Sequence, residues 1–178
     1  GLKRSGNHAL INWLKPQMPG RVHFMNNLKP GDHPLLKDRK VFVNNRPHAD
    51  SPNSWLILSY EDRELEPIRS WETAVQLLLL RDPFNMIASR MKRKEPGFGG
   101  VLNHERRERV LSLWCQYAER FVAEDQRFIR VLYDRWKDDR AYREGLARQL
   151  GLRFSDEGLN TVSRHGGGSS FEGRSKDG

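Results

Sequence analysis

Two short segments carry residue types suited to gripping an anion. Arg81-Asp82-Pro83-Phe84-Asn85-Met86-Ile87-Ala88-Ser89 follows an apolar run over residues 75 to 80, and Arg4-Ser5-Gly6-Asn7-His8 stands just ahead of an apolar stretch over residues 9 to 14. A buried-type strand ending at Arg81 sets a guanidinium at the carboxyl edge of a sheet, where open α/β sheets bind ligands. Asp82 then caps a helix whose first residue is Pro83, a position where the missing N–H costs nothing. At the other segment, Ser5-Gly6-Asn7 opening a helix offers unpaired backbone N–H groups and the positive end of the helix dipole. Gly6 lets a phosphate come close to the chain, and Arg4 adds a fixed positive charge. Ser-Gly-Asn by itself is an ordinary helix cap; paired with Arg81 it reads as one half of a site for a ligand with two phosphates.

Such grips need strands and helices to hold them. The pattern predicts a loop and helix over residues 4 to 14, a Pro/Gly-rich connection over 15 to 34, and strands over 41 to 44, 55 to 60 and 75 to 80. A helix beginning at Pro83, a Gly-rich stretch over 95 to 100, a long amphipathic helix over about 104 to 124, a strand over 128 to 133 and a helix over about 140 to 150 follow. Strands alternating with helices predict an α/β fold, a three-layer arrangement with a parallel sheet covered by helices on both faces. No repeat or linker divides residues 1 to 178, so one domain is expected, ending in a mobile Gly/Ser-rich tail over 163 to 178.

With both grips in view, the chain resembles the sulfotransferases that take 3′-phosphoadenosine 5′-phosphosulfate (PAPS) as donor. Lys3-Arg4-Ser5-Gly6-Asn7-His8-Ala9 looks like their 5′-phosphosulfate motif, with Arg4 on the family's lysine, Ser5 and Gly6 matching, and Asn7 and His8 in place of two threonines. Arg81 and, eight positions later, Ser89 match the arginine and serine that hold the 3′-phosphate. Val131-Leu132-Tyr133-Asp134 is similar to the strand whose tyrosine sits near the adenine, and Ser169-Ser170-Phe171 to a segment whose phenylalanine packs on that ring. The chain departs from the family at Ala9, where the motif has tryptophan, and in lacking a C-terminal Arg-Lys-Gly segment.

The resemblance implies a P-loop NTPase-like sulfotransferase fold with PAPS as donor co-substrate, no metal, and in-line transfer of a sulfonate to an acceptor's hydroxyl or amine. Arg4 would match charge on the leaving 5′-phosphate, and His8 would either touch the sulfonate or only pack beside the helix start. The family's general base lies just after the strand preceding the second motif, which falls on Glu61 here, with Asp62 the near alternative. Without the resemblance, Glu61 in Glu61-Asp62-Arg63-Glu64 is an ordinary turn charge. The family's phosphate loop follows a buried strand, and only Gly1-Leu2-Lys3 precede it here, so the chain reads as truncated at that strand.

Composition sets bounds around this reading. The absence of Gly-Lys-Ser/Thr after four spacer residues argues against an ATP or GTP phosphotransferase. A net charge of +8, concentrated in residues 1 to 55, also suits nucleic-acid binding. Against it, arginines between Arg106 and Arg148 alternate with acidic residues, as on solvated helix faces. Nucleic acid is therefore not expected as a partner; a small-molecule or carbohydrate acceptor is, with its pocket built by residues 15 to 53 and 95 to 103. Cys115 is the only cysteine and excludes an internal disulfide and a thiolate metal cluster; its place in the pattern Val110, Leu113, Trp114, Tyr117, Phe121 predicts a packed thiol. No stretch is apolar and long enough to span a membrane or act as a signal peptide, so a cytoplasmic location is the simplest expectation, unless an upstream anchor exists. The rival functions are a nucleotide-binding module without transfer activity and, more distantly, a basic nucleic-acid-binding protein.

Overall fold

A computed structural model of the chain describes residues 1–29, 42–44, 54–66, 74–98 and 104–161. In order, its elements are α1 (Asn7–Leu14), a 3₁₀ turn (Lys15–Gln17), β1 (Arg21–Met25), β2 (Phe42–Asn44), β3 (Ser54–Leu58), β4 (Leu77–Leu80), α2 (Pro83–Lys92), α3 (His104–Val122), β5 (Ile129–Leu132), α4 (Tyr133–Asp138) and α5 (Arg140–Gln149). The result is a mixed α/β fold built on short parallel strand pairs.

The strand β4 organises the interior because its four leucines alternate between two faces. Leu79 packs with Leu10, Trp13 and Leu14 of α1, Val131 of β5, Trp136 of α4 and Leu146 of α5. Leu78 and Leu80 point the other way, toward Met86 of α2 and Val110, Leu113 and Tyr117 of α3. An all-leucine run thus reads as a strand buried on both faces, with β5 beside it in parallel register, Leu77 against Ile129 and Leu80 against Leu132. Trp13 and Trp136 meet edge to face at 5.9 Å, both fully buried, and tie α1 to α4.

Local chemistry sets the helix ends. The Asp82 carboxylate accepts from the Asn85 amide at 2.8 Å with Pro83 at the first helical turn, as the sequence predicts. Asp139 does the same for α5 through the Tyr142 amide at 2.9 Å. Arg143, buried, then fastens α5 by donating to both Asp156 carboxylate oxygens, at 2.8 and 3.0 Å, and to the carbonyls of Trp136 and Lys137.

Several expectations need correction. The connection over 15 to 34 contains the 3₁₀ turn and β1, where buried Val22 and Phe24 alternate with Arg21 and His23 on a five-residue strand. Its period of two is legible but short, and the Pro19-Gly20 pair ahead of it masks it. The strand after residue 128 gives way at once to α4, which takes Tyr133 out of the strand and into a helix. The sheet is neither wholly parallel nor continuous among the described residues: β1 pairs with β3 in parallel but with β2 antiparallel, and β4 with β5 forms a separate pair. On α3 the buried positions are Val110, Leu113 and Tyr117, and Cys115 is exposed rather than packed. The tail over 163 to 178 lies outside the described residues, as do Ser169 and Phe171. No helix among the described residues is long and apolar enough to cross a membrane.

Candidate functional site

The loop ahead of α1 is held in an unusual backbone shape. Arg4 and Gly6 both have positive φ, 67° and 92°, and the Ser5 amide turns back to the Leu2 carbonyl at 3.2 Å. Gly6 serves as N-cap of α1 with no side chain to do the capping. A Cβ at Gly6 would fall 2.0 Å from Tyr133 Cε2, so only glycine allows both this dihedral and this contact. Tyr133, at the carboxyl end of β5, therefore lies directly on the loop.

Arg81 completes the cluster from the end of β4. Its guanidinium stacks 4.6 Å above the Tyr133 ring, and its Nη1 donates to the Arg4 carbonyl at 2.9 Å. Arg81 is itself anchored by its backbone, since Trp114 Nε1 donates to the Arg81 carbonyl at 2.9 Å. The next residue's amide, Asp82 N, donates to Asp134 Oδ2 at 3.1 Å. Among the described residues, the buried Ser5 Oγ and Arg81 Nε have no hydrogen-bond partner, and Ser5 is 1 % exposed. Leaving such groups unmatched is costly, so their convergence at one loop marks a place suited to an acceptor-rich ligand.

Behind the loop runs a chain of ion pairs that sequence reasoning missed. Arg90, 3 % exposed, donates to both oxygens of Asp62 at 2.5 and 3.1 Å, to Glu95 at 3.3 Å and to the Lys3 carbonyl at 3.0 Å. Glu95 in turn lies 2.8 Å from Arg4 Nε. Asp62 also accepts from the Lys3 amide at 3.0 Å. Burial alone would raise the Asp62 carboxyl, but the Arg90 guanidinium and the Lys3 amide outweigh it and hold it below its ordinary value. The signal for Arg90 was present: Met86, Ser89 and Arg90 fall at i, i+3 and i+4, the buried stripe of α2, and a charge on that stripe needs a partner.

Glu61 and Asp62, adjacent in sequence, have different surroundings. Glu61 is buried, and its Oε1 accepts from Asn7 Nδ2 at 2.9 Å; the same amide nitrogen donates to the Leu2 carbonyl at 2.9 Å. A carboxylate thus touches the first residue of α1 directly, while Asp62, with φ 52°, turns toward Arg90.

Of the residues singled out from sequence, Arg4, Ser5, Gly6, Asn7, Arg81, Tyr133 and Glu61 converge on this loop. Ser89 is buried within α2. His8 turns toward β1, its Nε2 lying 3.3 Å from Asn26 Nδ2 and its ring edge-on to Phe24 at 5.9 Å. Arg4, expected to add a fixed positive charge at the phosphate loop, is engaged by Glu95. Among the described residues, no group of three or more His, Cys, Asp or Glu is placed to hold a metal ion. The chain matches no protein-family model, no curated protein and no solved structure.

Proposed function

We propose that the chain is a P-loop-like sulfotransferase domain that moves a sulfonate from 3′-phosphoadenosine 5′-phosphosulfate to a hydroxyl or amine of a small-molecule or carbohydrate acceptor. The observation that carries this reading is the convergence of the Ser5-Gly6 loop, the Arg81 guanidinium and the Tyr133 ring, with the buried Ser5 Oγ and Arg81 Nε lacking hydrogen-bond partners among the described residues. Residues 77 positions apart are joined there around backbone shaped for an anion, as a nucleotide with two separate phosphate groups requires. In this reading the amides of Ser5 to Asn7 hold the 5′ side, Arg81 and Ser89 the 3′-phosphate, and Tyr133 flanks the adenine.

Transfer then depends on charge placement more than on covalent chemistry. The acceptor oxygen forms its bond to sulfur as the bond from sulfur to the 5′-phosphate oxygen breaks, and that oxygen departs with the electron pair. Arg4, exchanging Glu95 for the departing phosphate, stabilises the developing charge. Glu61, oriented through Oε1 by Asn7, takes the acceptor's proton on its other oxygen. Asp62 is a poor base, because Arg90 and Lys3 occupy its oxygens and hold it ionised.

Isothermal titration with adenosine 3′,5′-bisphosphate and with adenosine 5′-monophosphate tests the reading. Arg81→Ala removes a charge-assisted contact, which carries about 1.5–3 kcal/mol, so affinity for the bisphosphate should fall by roughly 10- to 150-fold and for the monophosphate far less. Ser89→Ala should show the same preference with a smaller loss. Equal losses for both nucleotides reject the 3′-phosphate assignment, and no binding of either nucleotide rejects the function.

A further inference from the structure

Glu95 is fixed against the Arg4 loop by its own backbone. The helix α2 starts just after Arg81 and Asp82, and in the turn that closes it the Lys94 amide donates to the Met91 carbonyl at 2.9 Å and the Glu95 amide to the Arg90 carbonyl at 3.0 Å. This pair of bonds ends a helix through a left-handed residue, here Lys94 at φ 49°, where glycine is the usual choice. The Glu95 carbonyl is tied as well, accepting from the amide of buried Phe98 at 2.8 Å. A helix that begins beside Arg81 thus ends by setting a carboxylate on the loop that Arg81 also touches.

That carboxylate serves its two arginines unequally. Its Oε2 lies 3.3 Å from Arg90 Nη1, but Arg90 already donates to both Asp62 oxygens and to the Lys3 carbonyl. Its Oε1 lies 2.8 Å from Arg4 Nε, and the contact is one of charge alone. The atoms are not aligned for a hydrogen bond, and among the described residues Arg4 Nε is buried without a hydrogen-bond partner. Ser5 Oγ and Arg81 Nε share that condition, so Glu95 neutralises Arg4 and leaves all three groups unsatisfied. A phosphate, with several oxygens, can supply both the charge and the hydrogen bonds, and so displaces the carboxylate. When it leaves, the carboxylate is already in place.

We propose that Glu95 is the resident counter-ion of the Arg4 loop, a positioning residue that holds the Arg4 side chain while the loop is empty, yields it to a phosphate and reclaims it when that phosphate departs. In the sulfotransferase reading, on which this part of the proposal rests, the phosphate is the 5′ group of the bisphosphate product. That group gains negative charge when the sulfonate leaves, so an uncontested Arg4 grips the product more tightly than the donor. Competition from Glu95 limits that grip and speeds product release.

Titration calorimetry with inorganic pyrophosphate tests the exchange without the nucleotide. Glu95→Gln keeps the side chain's size and leaves Arg90 its Asp62 pair, and it should tighten pyrophosphate at least about fivefold, or about 1 kcal/mol of competing attraction removed. Glu119→Gln takes the same charge from an exposed position of α3 and should change the affinity by less than about twofold. In an Arg4→Ala background, Glu95→Gln should likewise change it by less than about twofold, because the effect runs through Arg4. Among nucleotides, Glu95→Gln should tighten adenosine 3′,5′-bisphosphate and leave adenosine 3′-monophosphate unchanged. In the wild type, the Arg4 Nε–H NMR signal, identified by its loss in Arg4→Ala, should move as pyrophosphate is added, a readout that does not depend on the Glu95 variant folding. Pyrophosphate affinity unchanged or weakened by Glu95→Gln overturns the proposal. So do equal tightening by Glu119→Gln, a gain that survives without Arg4, an Arg4 signal that stays in place, or no pyrophosphate binding to either protein. An equal gain for both nucleotides overturns the product role. Tightened pyrophosphate with neither nucleotide bound upholds the exchange and rejects the sulfotransferase reading.

Discussion

Replacing Asp62 by Asn tests the ion-pair chain behind the loop separately from chemistry. The substitution keeps shape and can still accept from the Lys3 amide, but removes the charge facing Arg90, which is 3 % exposed. Stripping a partner from a buried ion pair costs about 3–5 kcal/mol when the remaining charge is left alone. Arg90 is not left alone, because Glu95 at 3.3 Å and the Lys3 carbonyl at 3.0 Å remain. The loss is then nearer that of one charged hydrogen-bonded contact, about 2–3 kcal/mol. Urea unfolding at pH 7 should show a midpoint lowered by about 0.7–3 M, given a slope of roughly 1–3 kcal/mol/M. The folded Asp62 carboxyl is depressed below 3.8, so its contribution is fully present above that value and lost as pH falls through the lower folded value. Wild type and Asp62→Asn should therefore converge in stability as pH drops below 3.8. A cycle with Arg90→Met should give an interaction energy of at least about 1 kcal/mol. Additive effects within about 0.5 kcal/mol, or an Asp62→Asn midpoint unchanged at pH 7, would refute the pairing.

Gly6→Ala must place a methyl into the Tyr133 ring at positive φ, and should cost about 2–5 kcal/mol from backbone strain and overpacking together, measured by thermal or urea unfolding. Glu61→Gln should lower sulfonate transfer by about two to four orders of magnitude with nucleotide affinity nearly unchanged, in a single-turnover assay with labelled donor. If Glu61→Gln stays active and His8→Ala is inactive, the base sits on the phosphate loop. Arg4→Ala should reduce turnover at saturating donor more than donor affinity, since backbone amides still hold the ground-state phosphate. Collapse of affinity with turnover intact would make Arg4 a binding residue only.

Much of the frame was legible because its signals are local. The leucine run of β4, the Asp82-Pro83 start of α2, the spacing of Val110, Leu113 and Tyr117 on α3, and the start of α5 near residue 140 all rest on signals within a few residues. The sequence places Arg81 and Tyr133 each at the carboxyl end of a strand, but not the helix that takes up Tyr133 nor the stacking of the two side chains. By itself, then, the sequence determined where chain elements begin and which faces they bury, because caps and periodicity are properties of neighbouring residues. Only the tertiary structure decided that Glu61 meets Asn7 while Asp62 meets Arg90, that His8 turns to Phe24, and that Glu95 holds Arg4. Those pairings join residues between 16 and 91 positions apart. Each is set by which buried charge or ring must find a partner once the core has closed, and a one-dimensional pattern does not record that.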